Sequence, residues 1–256
     1  KYYIQNRSYV DFKEVSSNLV NELIATEDIR FYDHSGIDAR GLARVFFKTI
    51  LLGKSTGGGS TITQQLAKNL FPRDTAVYGS KIARTTNLVL AKFKEWITAA
   101  KLERNYTKKE ILVMYLNTVP FGGQTYGIKS AARTYFNTHP DSLQVEEAAT
   151  LVGLLKAPTR YSPILHPERS KSRRNIVLSQ MNKYNYISQA QYDSLSSLQL
   201  DLSYSLQDHN VGPARYFREH LRTLLTEEKP QRDDYVTSSS YREDSTAWAN
   251  NALYGW

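Results

Sequence analysis

The chain has 256 residues and carries 33 Lys and Arg against 25 Asp and Glu, a formal net charge of +8 at pH 7. Its composition, 41% apolar and 12% aromatic, supplies enough material for a buried core, which excludes a disordered chain and a collagen-like or coiled-coil repeat. It contains no cysteine, and this excludes disulfide scaffolds, thiolate zinc sites and cysteine nucleophiles without deciding the compartment.

The positive charge is concentrated in the first half of the chain. Between Arg40 and Lys109 there are 14 basic residues and 3 acidic ones, a net charge of +11. Such a concentration favours an anionic partner, which could be nucleic acid, an anionic membrane surface or a phosphorylated substrate. The alternative is a solvated basic face, and the charge pattern alone leaves these interpretations open.

Apolar residues recur at helical spacing along most of the chain, and no convincing set of alternating strands is present. The sequence therefore predicts an all-α protein. We expect the first helix to end near Glu27 and Asp28. Asp38 is placed to cap a second helix, whose apolar run from Leu42 to Leu52 is interleaved with basic residues. This run fits either a membrane interface or an ordinary core helix.

A glycine-rich loop precedes the third helix, for which Ser60 is a suitable cap and Pro72 a stop. A long helical pattern follows from about 80 to 105, and Thr107 with Glu110 predicts a capping box for the next helix. Further helices are predicted at 126–136, 143–156, 167–184, 188–195 and 213–228. The last 28 residues lose periodicity and turn polar, so we expect a domain at 1–228 followed by a linker at 229–256.

The first candidate for chemistry is the acidic pair where the first helix ends. Glu27 and Asp28 are followed by Phe31 and Tyr32, and an apolar surround of this kind raises the pKa of a catalytic carboxyl. The alternative is a pair of ordinary surface carboxylates.

The second candidate is the glycine loop and the helix that it enters. A loop of this kind aims backbone N–H groups and the positive end of the helix dipole at one point, which suits an anion, although no P-loop motif is present. Ser60 and Thr61 begin the helix, and Gln65, Lys68 and Asn69 extend one polar face. The alternative is a capped surface helix.

The third candidate is Lys92 with Glu95, three residues apart on the longest predicted helix. On their own they fit a helix surface pair. Two carboxylates on different helices, Glu27 and Glu95, near many basic residues and a glycine loop, indicate transfer chemistry on a phosphorylated substrate.

Five motifs follow one another along the chain: TEDIRFYDHSGID, GGGSTITQQLAKN, KFKEWITAAKLER, KKEILVMYLNTVPFGG and EEAATLVGLLKAPTRYSP. In this order they closely resemble the bacterial peptidoglycan glycosyltransferases of family 51, which form the glycosyltransferase domain of bifunctional class A penicillin-binding proteins. The resemblance covers residues 10 to 185. It implies a lysozyme-like, all-helical fold of two lobes, a larger head and a smaller membrane-facing jaw at about 39–80.

The resemblance implies polymerisation of lipid II. In this reaction the 4-hydroxyl of the acceptor GlcNAc attacks the anomeric carbon of the donor MurNAc and expels undecaprenyl pyrophosphate with inversion. Glu27 matches the general base, and Glu95 matches the acidic position that holds the donor pyrophosphate, directly or through a divalent cation, magnesium or manganese. The positions matching substrate-binding residues are Asp28, Ser60, Thr61, Gln65, Lys68, Asn69 and Lys92.

Six motif positions are expected mainly to hold shape, and Asp28 is among them although it also matches a substrate-binding position. They are Asp28, Phe31, His34 and Gly36 in the first motif and Asn117 and Gly122 in the fourth. The chain departs from the family at Ala91, where the family commonly has an arginine before Lys92. Arg84 or Lys94 is the candidate for the missing cation.

The implied partners are lipid II and the growing lipid-linked glycan, an anionic membrane surface, moenomycin-type inhibitors and other cell-wall synthesis proteins, and not nucleic acid. The implied location is the outer or periplasmic face of the bacterial inner membrane. No stretch of the sequence approaches the roughly 20 apolar residues of a spanning helix, and neither S-x-x-K nor K-T-G of a transpeptidase is present. We therefore expect the native protein to carry an anchor before this chain and a transpeptidase domain after it; a naturally monofunctional enzyme is the alternative.

Two other functions compete with this one. A lytic enzyme would cut existing glycan with one glutamate on a related fold, but it has no pyrophosphate to bind and therefore no use for the basic glycine loop. A basic module that binds a membrane surface or nucleic acid without catalysis is the third hypothesis.

Overall fold

The computed structural model describes residues 6–7, 9–52, 59–71, 81–123, 125–205, 216, 231–235 and 237–250. The chain divides into two compact units, one of residues 7–204 and one of residues 1–6 with 205–256. The candidate site lies in the first unit.

The first unit is built mainly of helices, which confirms the predicted all-α class. Its helices are α1 (Ser17–Glu27), α2 (Ala39–Leu52), α3 (Ile62–Leu70), α4 (Lys81–Asn105), α5 (Lys108–Thr118), α6 (Ile128–Phe136), α7 (Val145–Leu154), α8 (Pro167–Lys183) and α9 (Gln189–Ser197). Short 3-10 helices span Phe12–Glu14 and Phe31–Asp33. Two strands of two residues each, β1 (Asn6–Arg7) and β2 (Thr125–Tyr126), pair with each other.

The core forms where α1 packs against α7 and α8, and where α3 packs against α4 and α5. Leu19 and Leu23 lie four residues apart on α1 and are both fully buried, as are Leu151 on α7 and Val177 on α8. Full burial of such a side chain stabilises the fold by about 1.5–3 kcal/mol. This packing fixes α1 along its length and therefore fixes the position of Glu27 at its C-terminal end.

The helix caps agree with the sequence except at α3. The predicted capping box of Thr107 and Glu110 opens α5, and Asp38 caps α2 by accepting from the backbone N–H of Gly41 at 3.0 Å. The cap of α3 is Thr61, so the prediction of Ser60 was wrong. The reason is that the Ser60 hydroxyl accepts a hydrogen bond from a lysine of α4 instead, as described below.

Gly36 joins the first motif to α3 and α4. Its φ is +86°, and a Cβ atom there would lie 2.9 Å from the backbone of Ala99 on α4. Its carbonyl oxygen accepts from the Thr61 hydroxyl at 2.7 Å and from the Gln64 side-chain amide at 3.2 Å. Only glycine fits so close an approach at a positive φ, which confirms the shape-holding role expected for this position.

The predicted jaw, 39–80, contains α2 and α3, while 53–58 and 72–80 lie outside the described residues. The division into a head and a jaw stays a prediction. Asn117 has the structural role expected of it: its buried side-chain amide pairs with the backbone N–H and C=O of Val10, both at 3.0 Å.

The second unit contains a 3-10 helix, Arg232–Asp234, and a helix, α10 (Ser238–Asn250). The sequence analysis did not predict a helix in 229–256, and the assignment of this segment as a linker stays a prediction. The hydroxyl of Thr237 accepts from the N–H of Ser240 at the start of this helix and caps it. The helix predicted at 213–228 falls, apart from Tyr216, outside the described residues, and the domain boundary at 228 stays a prediction. Within the described part of the chain, no helix is both long and apolar enough to cross a membrane.

Candidate active site

A cleft of about 700 Å³ lies between the end of α1, the start of α3, the middle of α4 and one side of α8. Eight predicted site residues line it, namely Glu27, Asp28, Ser60, Thr61, Gln65, Lys68, Lys92 and Glu95. Asn69 is not among the lining residues. Successive side chains of a helix point about 100° apart, so the side chain of Asn69 points away from the cleft that Lys68 lines.

Glu27 stands at one end of a hydrogen-bonded cluster in the cleft. Its Oε2 accepts from the side-chain N–H of Gln65 at 2.9 Å, and its Oε1 lies 3.8 Å from Nη2 of Arg173. The glutamate side chain is 16% exposed, so it can be reached from the cleft although most of it is shielded from water. The carboxylate therefore faces a hydrogen-bond donor and a positive charge at the edge of the cleft, and a carboxylate is a group that can accept a proton.

Asp28 and Thr61 line the same cleft, but their polar atoms are used within the protein. Both carboxylate oxygens of Asp28 lie 3.0 Å from Nε2 of His34, and one of them accepts from the backbone N–H of Ile62 at 3.0 Å. Thr61 accepts from the N–H of Gln64 at 3.1 Å while donating to a backbone carbonyl. The N-terminal turn of α3 therefore already holds a carboxylate, and substrate binding by Asp28 and Thr61 stays a prediction.

Lys92 and Glu95 meet in the cleft as the helical spacing predicts. Nζ of Lys92 lies 3.1 Å from Oε2 of Glu95 and donates to the hydroxyl of Ser60 at 2.8 Å. The carboxylate is buried, with 7% of its side chain exposed, whereas the lysine side chain is 32% exposed. The buried carboxylate holds the ammonium in place, and the ammonium remains accessible to an anion.

The cleft is lined by seven basic residues and four acidic ones. The basic residues are Arg30, Arg44, Lys68, Lys92, Lys156, Arg173 and Lys183. Within the described part of the chain four of them form no ion pair, namely Arg44, Lys68, Lys156 and Lys183. Unpaired cations that converge on one cleft attract an anionic ligand.

Sequence reasoning missed Arg173, which contacts Glu27 from α8. Arg173 and Arg174 precede the buried residues Val177 and Leu178 by four positions, so both belong to the buried face of α8. Arg174 does not line the cleft, because its guanidinium donates to the carbonyl of Leu198 at 2.7 Å. In the sequence, two arginines stand at positions that belong to the apolar face of this helix. A buried arginine needs a partner for its charge, and this pattern could have indicated a contact with a carboxylate such as that of Glu27.

The departure at Ala91 is not compensated by Lys94, which is exposed and does not line the cleft. The side chain of Arg84, the other candidate, lies outside the described residues. The structure brings other cations to the cleft, Arg173 and Lys183, from a helix that carries none of the five motifs.

The divalent cation implied at Glu95 needs several side chains that can ligate a metal ion. No three acidic or histidine side chains converge anywhere in the described ranges, and Glu95 directs one oxygen at the ammonium of Lys92. These residues do not fit a magnesium or manganese ion held by the protein alone, since such ions are held by several oxygen ligands. We derive no step through a metal, and a cation bridging Glu95 to the donor stays a prediction.

The chain is similar in sequence to a known protein family and to several known proteins. The family model described as Transglycosylase matches residues 1–182. Penicillin-binding protein 1F of Bacillus subtilis (strain 168) is 45% identical over 186 residues, 73% of this chain and 24% of that protein. Penicillin-binding protein 1A of Aquifex aeolicus (strain VF5) is 42% identical over 190 residues, 74% of this chain and 25% of that protein. The chain thus spans about a quarter of the length of these curated relatives.

Among solved structures, the crystal structure of penicillin-binding protein 1A from Haemophilus influenzae matches with a TM-score of 0.49 and 24% identity. The match covers 91% of this chain and 23% of that chain.

Proposed function

The chain belongs to the transglycosylase family, the peptidoglycan glycosyltransferases, and from this membership we propose that it polymerises lipid II into glycan strands. The observation that carries the proposal is the composition of one cleft. It holds a carboxylate supported by donors, Glu27, together with a positively charged wall around Lys92. A base and an anion site in one cleft are what glycosyl transfer from a pyrophosphate donor requires.

Glu27 is the general base in this proposal. The 4-hydroxyl oxygen of the acceptor sugar bonds to the anomeric carbon of the donor, and the bond from that carbon to the pyrophosphate oxygen breaks. The proton of the hydroxyl passes to Glu27, and the electron pair of the broken bond leaves with undecaprenyl pyrophosphate. Gln65 donates a hydrogen bond to one carboxylate oxygen of Glu27 and Arg173 lies near the other, so the two side chains hold the base in place for the transfer.

Lys92 and Lys68 neutralise the leaving pyrophosphate. A pyrophosphate is a weak base, so charge neutralisation helps its departure more than protonation does. Lys92 is positioned by Ser60 and Glu95, and Lys68 reaches the cleft without an ion-pair partner among the described side chains. In this proposal Glu95 acts through Lys92, whose ammonium it holds in place.

We propose that α4 lies against an anionic membrane surface, on the outer or periplasmic face of the bacterial inner membrane. Five large apolar side chains of α4 are 48–57% exposed, namely Leu88, Val89, Leu90, Phe93 and Ile97. Exposed Lys101 lies one turn beyond them. A helix face that combines apolar side chains with a nearby lysine suits a lipid interface. The interfacial run predicted on α2 rests mostly on side chains outside the described residues, although Phe47 is 59% exposed.

The test is an assay of the purified chain with lipid II, with and without magnesium, and with moenomycin. The proposal predicts glycan polymer, one undecaprenyl pyrophosphate released for each bond formed, and inhibition by moenomycin. Release of muropeptides from purified cell-wall sacculi, with no polymer from lipid II, would instead establish the lytic alternative.

A further inference from the structure

A buried tyrosine is connected to the base through one side chain. Tyr115 lies on α5 with none of its surface exposed, and its hydroxyl donates to Oε1 of Gln65 at 3.0 Å. The other end of the same amide, Nε2, donates to Oε2 of Glu27 at 2.9 Å. Three helices, α5, α3 and α1, thus each supply one member of a continuous hydrogen-bonded chain that ends on the base.

The direction of the hydrogen bond from Tyr115 decides which end of the Gln65 amide faces Glu27. A glutamine side chain carries an acceptor and a donor of nearly equal size, so its orientation is set by its hydrogen-bond partners. Burial raises the pKa of Tyr115 well above 10, and the charge of Glu27 raises it further. The phenol therefore keeps its proton and acts as a donor, which holds the oxygen of Gln65 on the tyrosine side and its N–H group on the carboxylate side.

We propose that Tyr115 is a positioning residue for the transfer reaction and acts by fixing the amide of Gln65 toward Glu27. Tyr115 does not itself line the cleft. Its effect must therefore pass through Gln65. The inference rests on the proposed function, since it takes Glu27 to be the general base.

Loss of the phenol hydroxyl has a defined consequence for the base. Without that donor the amide can also turn its oxygen toward Glu27, and two acceptors then face each other. The carboxylate then loses part of a hydrogen bond made to its charged form, and the pH dependence of the reaction reports that loss. The acid limb of kcat, which reports protonation of the base in the substrate complex, should move up by about 0.5–1 pH unit.

The experiment compares Tyr115→Phe with Tyr135→Phe in lipid II polymerisation over about pH 4 to 8. Tyr135 is a matched control, since it is also buried and its hydroxyl donates at 2.9 Å to the carbonyl of Phe121, away from the cleft. Only Tyr115→Phe should shift the acid limb. In a Gln65→Met background the same change should add no further shift, because the residue through which it acts is gone. Equal profiles for the two tyrosine variants, or an undiminished shift in the Gln65→Met background, overturn the proposal.

Two further measurements separate the possible failures. If Tyr115→Phe does not fold, Gln65→Met alone must still raise the acid limb, and an unchanged limb overturns the proposal. Glu27→Gln tests the proposed function independently. Suppose that Glu27→Gln is inactive and that the pH profile of Tyr115→Phe matches that of Tyr135→Phe. The assignment of Glu27 as the base then stands, and only the role proposed for Tyr115 is contradicted.

Discussion

Replacing Lys92 by methionine tests the anion site most sharply, because α4 offers a matched control two residues away. Lys92 contacts Ser60 at 2.8 Å and Glu95 at 3.1 Å in the cleft, whereas Lys94 is exposed and does not line it. Both substitutions remove one positive charge from the same helix. Any effect of overall charge on membrane binding or steering is therefore common to the two variants.

The expected loss follows from the surroundings of the ammonium. A hydrogen bond to a charged group is worth about 1.5–3 kcal/mol, and the 32% exposure of the lysine side chain lets water replace part of it. We take about 2 kcal/mol, which lowers kcat/KM by about 30-fold. The measurement is the initial rate of lipid II polymerisation at subsaturating substrate. Lys94→Met should stay within about 2-fold of the parent chain, which is the size of a typical surface substitution.

A rate for Lys92→Met equal to that of Lys94→Met would refute the assignment of Lys92 to the donor pyrophosphate. A fall in rate matched by loss of the folded state would assign the effect of Lys92→Met to stability and not to the anion site. Thermal unfolding of both variants therefore accompanies the kinetics.

Three other predictions concern stability and membrane contact. Glu22 is fully buried, neither carboxylate oxygen has a hydrogen-bond partner in the described part of the chain, and burial, with the charge of Glu146, raises its pKa well above 4.5. The unfolded chain releases this proton first, so the stability of the parent chain falls as pH rises from 4.5 toward the folded pKa. Glu22→Gln should gain over the parent chain by up to about 1.4 kcal/mol per pH unit in urea melts, and a gain independent of pH would contradict this. Gly36→Ala should cost about 2–4 kcal/mol in thermal unfolding, because it combines a positive φ with a 2.9 Å contact, and a cost below about 1 kcal/mol would be inconsistent with that packing. Phe93→Ser with Ile97→Ser should weaken flotation with anionic vesicles while leaving the unfolding temperature unchanged, and undiminished flotation would exclude this face from the membrane contact.

Much of the fold is predictable because its helices follow apolar periodicity and their caps are local. The capping box at Thr107 needs only a glutamate three residues later, so the sequence suffices to predict it. The cap of α3 shows where local reasoning ends. Ser60 and Thr61 can both cap a helix, and the choice is made by Lys92, which lies 32 residues from Ser60 and takes its hydroxyl.

The motifs predicted eight of the residues that line the cleft, since each motif is a short local pattern. They did not predict how the cleft is completed. Arg173 comes from a helix without a motif, and its contact with Glu27 exists only once α8 packs on α1. The hydrogen bond from Tyr115 to Gln65 joins residues 50 positions apart, so no spacing rule could indicate it. Helix 238–250 was missed because its polar sequence shows no apolar stripe.

The central claim is that Glu27 removes the proton of the acceptor hydroxyl, and the most direct test is Glu27→Gln assayed for lipid II polymerisation. The substitution keeps the shape of the side chain and removes its ability to accept a proton. We expect a chain that folds with an unchanged unfolding temperature, still binds moenomycin and forms no polymer. Polymerisation at the rate of the parent chain would contradict it.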